Sequence, residues 1–142
     1  MTVAELSREG YGNEEDFNCA EKILNGANKA YGLNLSKETL KLAAGFGGGM
    51  GIESTCGALT GSVMTLSHMF VKERGHEGPR IKELTQELFS AFEEKMKSIM
   101  CAPLKKDYRT EELGCKNVIL AAAEVLDEIV ARELKKDAEA AE

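Results

Sequence analysis

Tryptophan is absent from the 142 residues, and proline and histidine occur only twice each. Two prolines leave long stretches free to be helical. No apolar run approaches the roughly 18 residues needed to span a bilayer. Basic charge is in short supply, with 18 Lys and Arg against 24 Asp and Glu and a net charge of −6. The Lys and Arg form no stripe that would compensate locally, which excludes nucleic acid and anionic membrane surfaces as expected partners. The segment Met1 to Glu5 lacks a basic stretch followed by an apolar one. No secretory signal is therefore expected, and a reducing cytoplasm is the expected location. No alternating strand pattern, internal repeat or domain boundary is visible, so the chain reads as one domain over 1–142.

What is present is helical periodicity. Residues 14–31 carry Phe17, Ala20, Ile23, Leu24, Ala27 and Tyr31 at spacings of three and four, with Asn13 or Asn18 as cap and Gly32 as stop. Ser36 is suited to cap a short helix with Leu40, Ala43 and Ala44. A third helix is expected from Ser54 or Thr55 to about Lys72, with Leu59, Val63, Leu66 and Phe70 on one face and Gly57 and Gly61 on another. The small face lets a second backbone come close. Pro79 suits the first turn of a fourth helix bearing Ile81, Leu84, Leu88, Phe92 and Met96. Cys101, Ala102 and Pro103 read as a connection. Thr110 reads as the cap of a last helix whose inner face is Cys115, Ile119, Ala122, Leu126 and Ile129, and 135–142 read as a frayed tail. The fold class predicted is all-α, a bundle of about five helices with a glycine-rich turn before the central one.

Two features carry chemistry. Gly45, Gly47, Gly48, Gly49 and Gly51 crowd one stretch. They fit neither the dinucleotide nor the P-loop template, because Met50 holds the third glycine position and no Lys with a hydroxyl residue follows. They read either as a sharp turn with positive torsions or as bare backbone beside a bulky or charged group, with Cys56 the nearest. The second feature is the four cysteines, Cys19, Cys56, Cys101 and Cys115. No Cys-x-x-Cys pair occurs, which argues against zinc knuckles and a thioredoxin-type dithiol. Cys19, Cys56 and Cys115 map near predicted helix starts, where free N–H groups favour thiolate. Cysteine can also serve as a small buried hydrophobe. His68 lies 12 residues beyond Cys56, about 18 Å along the same helix, too far to be its base.

The segments around these cysteines resemble the C_GCAxxG_C_C family of redox-active proteins. Phe17-Asn18-Cys19-Ala20 is similar to the surroundings of the first family cysteine, and Ala43 to Gly51 to the glycine-rich lead-in. Thr55-Cys56-Gly57-Ala58-Leu59-Thr60-Gly61 is similar to the central motif, with Thr55 in place of its first glycine and Gly61 five positions after the cysteine. Cys101 and Cys115 follow in order. The resemblance implies a small helical protein of bacterial or archaeal anaerobes, acting in electron or thiol transfer.

Three uses of the cysteines stay open on the sequence. In the first, Cys56 is a low-pKa thiolate that attacks a disulfide, and Cys19 resolves the mixed disulfide. In the second, Cys19, Cys56, Cys101 and Cys115 ligate an iron–sulfur cluster, with Gly47, Gly48, Gly49 and Gly51 offering backbone N–H groups toward its sulfurs. In the third, the cysteines only pack within a binding or homo-oligomeric module. The first two call for a redox partner protein or a small thiol or disulfide. Both require Cys19 and Cys56 within disulfide or shared-ligand reach, with Cα atoms under about 7 Å apart for a disulfide.

Overall fold

The computed structural model describes residues 1–141. It contains seven α-helices: α1 Val3–Arg8, α2 Cys19–Tyr31, α3 Lys37–Leu40, α4 Gly57–Phe70, α5 Arg80–Met96, α6 Cys101–Tyr108 and α7 Lys116–Ala141. A 3-10 segment, Lys41–Phe46, continues α3. The all-α class holds, with two more helices than the periodicity suggested. No strand forms among the described residues, but two isolated antiparallel bridges do, Thr55 with Met100 and Thr110 with Gly114.

Helix α2 starts at Cys19, five residues later than read, because Asn18 and Glu21 form a reciprocal capping box. Glu21 N–H donates to Asn18 Oδ1 at 3.0 Å, and Asn18 N–H donates to Glu21 Oε1 at 3.0 Å. Gly32 ends the helix in the left-handed conformation. Leu59 and Leu66 of α4, Leu88 and Phe92 of α5 and Leu126 of α7 are fully buried in one core. The glycine face of α4 receives α2. A Cβ on Gly61 would lie 2.7 Å from Ala20 O and 3.1 Å from Ala20 Cα, so the two backbones touch at a position where only hydrogen fits.

Four local features differ from the sequence reading. Helix α1 is too short to show a period, and a distant side chain caps it: Asp127 of α7 accepts from Val3 N–H at 3.1 Å and Ala4 N–H at 2.9 Å. The segment read as a connection at Cys101 is helix α6, with Pro103 in its first turn, where a missing N–H costs nothing. Thr110 caps a tight turn instead of α7. Its Oγ1 accepts from Leu113 N–H at 2.9 Å, and Gly114 closes the turn at φ +58°. The expected frayed tail is helical as far as Ala141, with Arg80 of α5 bound to Asp137 at 2.9 Å. Glu142 of that tail lies outside the described residues.

Candidate functional site

The cysteines stand at the beginnings of four different helices. Cys19 is the first residue of α2 and Cys101 the first of α6; Cys56 is the cap residue of α4, and Cys115 immediately precedes α7. All four line one cavity of about 290 Å³. Each is a free thiol.

Two of them are fixed by the backbone. Residues 54–56 run antiparallel to 99–101: Cys56 N–H donates to Ile99 O at 2.8 Å, and Cys101 N–H donates to Ser54 O at 2.6 Å. Cys56 and Cys101 are thus diagonal neighbours on one face of a short ladder, which unites positions 45 apart in sequence. Cys19 approaches from α2. A Cβ on Gly57 would collide with the Cys19 sulfur and with Phe46 O, so the glycine after Cys56 makes the seat for the Cys19 thiol.

The glycine run proves to be a left-handed turn. Gly48, Gly49, Met50 and Gly51 have φ of +62°, +61°, +62° and +74° in succession, a path that L-residues resist. It closes with Ser54 N–H donating to Gly49 O at 3.0 Å. Of the glycines expected to face the sulfurs, Gly48 lines the cavity, and a Cβ on Gly49 would lie 2.8 Å from Cys101 Cβ. Gly51 has open space beside it, and Gly47 is kept bare by the Asn18 side chain. The backbone N–H groups of Ala58 and Leu59, at the start of α4, pull the Cys56 thiol down, although its side chain makes no capping hydrogen bond.

Those N–H groups do not make Cys56 acidic. The residue is only 4% exposed, and burial, reinforced by Cys19 and Cys101 nearby, pushes its thiol up to about 12. The expectation of a low-pKa Cys56 is reversed: desolvation outweighs the helix end. Burial also raises the Cys101 thiol against the pull of Lys105, and the Cys115 thiol against that of Arg109. Cys19 and Cys115 are half-buried and Cys56 and Cys101 buried.

Periodicity missed the cations. Lys22, Lys105 and Arg109 line the same cavity, beside an apolar wall of Phe17, Leu104, Val118 and Ile119. Their spacing carried a signal, because Lys22 is three residues after Cys19, and Lys105 and Arg109 are four and eight after Cys101. Lys22 and Lys105 would be seen on their cysteines' helix faces once 101–108 is read as helix, and Arg109 directly follows that helix. Among the described residues, no group of three or more His, Cys, Asp and Glu side chains is placed to hold a metal ion.

Helix and cavity together define a small all-helical protein that gathers four free cysteines at four helix starts. The chain belongs to the family described as Putative redox-active protein (C_GCAxxG_C_C), whose model matches residues 17–129. No curated protein and no solved structure matches the chain. No helix among the described residues is long and apolar enough to cross a membrane.

Proposed function

We propose that this protein carries out thiol–disulfide exchange, with Cys19 as the attacking thiol and Cys56 as the resolving one. The observation that supports this most is the presence of four free thiols around a single cavity. The roles first read for Cys56 and Cys19 are exchanged, because Cys56 is buried with a raised thiol while Cys19 is half-buried. The Cys19 sulfur attacks one sulfur of a disulfide, whose second sulfur leaves as a thiolate and takes up a proton. Cys56 then attacks the Cys19 sulfur and releases the other half as a thiol. The protein loses two electrons and two protons, and the disulfide gains both.

An iron–sulfur centre would use the same four thiols. Their present placement does not bring three donors onto one ion. The test uses protein purified without oxygen. Reaction with a small disulfide should trap a mixed disulfide at Cys19 in Cys56→Ser and no adduct in Cys19→Ser. Unchanged adduct formation in Cys19→Ser would overturn the assignment. Visible absorbance that bleaches on reduction would replace exchange with cluster chemistry.

A further inference from the structure

The protein carries a net charge of −6, yet its four-cysteine cavity is lined by Lys22, Lys105 and Arg109 and by no Asp or Glu. These cations are also unpaired. Among the described residues no carboxylate lies within ion-pair distance of any of the three, and Arg109 differs in this from Arg8, Arg74, Arg80 and Arg132. Lys22 Nζ donates only to the neutral Asn13 Oδ1, at 2.7 Å. Three positive charges left without partners beside reactive sulfur make a receptor for anions, and the planar guanidinium of Arg109 suits a carboxylate. The starts of α2, α4, α6 and α7 face the same space and add to its positive field.

Size narrows the ligand. A volume of about 290 Å³ is at the small end of the range for ligand pockets. A second hollow of about 310 Å³ shares Lys105, Arg109 and Gly114 with it, and Glu111 is the one acidic residue there. The two hollows give an anionic small molecule one space for its reacting sulfur and another for its far end, with Lys105 and Arg109 between them.

Building on the exchange reading above, we infer that the substrate is a small disulfide bearing carboxylate groups, held by Lys22, Lys105 and Arg109 with one sulfur presented to Cys19. The anionic groups stay ion-paired while the S–S bond breaks. Two carboxylate-bearing thiols leave, carrying the two electrons and two protons that the protein gives up.

The test compares three symmetric disulfides of similar length on reduced protein: dithiodipropionate, hydroxyethyl disulfide and cystamine, which are anionic, neutral and cationic. A small cysteine peptide calibrates their intrinsic reactivity. Relative to the peptide, the protein should favour the dianion over the dication by about tenfold or more. Lys105→Gln with Arg109→Gln, or high salt, should remove that preference. Lys82→Gln with Lys95→Gln removes as much charge from α5 and should keep it. A sulfur-free dianion, adipate, should slow alkylation of the cavity thiols by neutral iodoacetamide in the wild type but not in Lys105→Gln with Arg109→Gln. Exchange at peptide-like ratios with no protection by adipate overturns the anionic substrate and leaves exchange standing. Protection by adipate without exchange of any of the three disulfides overturns exchange and leaves an anion site.

Discussion

The two ends of α7 handle charge in opposite ways. Toward its C-terminus the arginines are matched to carboxylates. Arg132 makes a two-pronged contact with Glu87 at 2.6 and 2.7 Å and also binds Glu133 at 3.0 Å. Arg80 stacks on the Phe70 ring at 4.6 Å and reaches Glu133 at 3.1 Å and Asp137 at 2.9 Å. Toward the N-terminus of α7, around Cys115, the cations have no carboxylates and the walls are held by close backbone packing. Matched charge clamps α5 to α7 and has nothing left to offer a ligand. Unmatched charge contributes little to folding and remains available for binding.

The largest consequence of this contrast falls on the thiols. With its thiol pushed up to about 12, Cys56 should be alkylated at neutral pH on the order of a hundredfold or more slowly than a peptide thiol, and after Cys19. Timed peptide mapping after iodoacetamide treatment checks both orders, and early labelling of Cys56 would show the cavity to be wet.

Next in size is the packing of α2 on α4. Gly61→Leu drives a side chain into the Ala20 backbone and should cost about 3 kcal/mol in urea unfolding, with little dependence on salt. A cost that disappears in high salt would mean that charge, not contact, holds α2 on α4.

The clamp should answer to acid. Hydrogen bonds from Arg132 hold the Glu87 carboxyl below its ordinary range. Burial works to raise Glu133, but Arg132, Arg80 and Lys136 together hold it below as well. Both groups bind protons more readily unfolded than folded. Their contribution is therefore complete above the ordinary carboxylate value of about 4.3 and is lost as pH falls through the lower folded values. Glu87→Gln with Glu133→Gln should flatten the fall in Tm between neutral and acid pH, and an unchanged slope would assign acid sensitivity elsewhere.

The smallest effect belongs to the unmatched cations. Lys105→Gln with Arg109→Gln should leave urea stability within about 0.5 kcal/mol of the parent, and a larger loss would mean that these residues hold the fold.

Much of this was legible in the sequence, for identifiable reasons. The long helices showed themselves through spacing, and Gly32 marked the end of α2, while its start stayed open between Asn13 and Asn18. Gly57 and Gly61 marked the close face, and the cysteines near helix starts pointed to one centre. What stayed hidden depends on partners distant in sequence. Helix α1 is capped by Asp127, and the ladder that brings Cys101 to Cys56 pairs 54–56 with 99–101. The rise of the Cys56 thiol depends on what covers it, which a local reading of the helix end cannot weigh.

The short ladder has a topological consequence. Because the chain leaves it after Cys56 and rejoins it at Ile99, α4 and α5 form an excursion that departs from and returns to one fixed point. The exposed link between them, 72–79, takes no part in that junction. A single cut there opens the excursion at its far end, while the ladder still holds Cys56 beside Cys101 and the clamp still fastens α5 to α7. Covalent continuity of the middle of the chain is thus separable from the alignment of its two buried sulfurs.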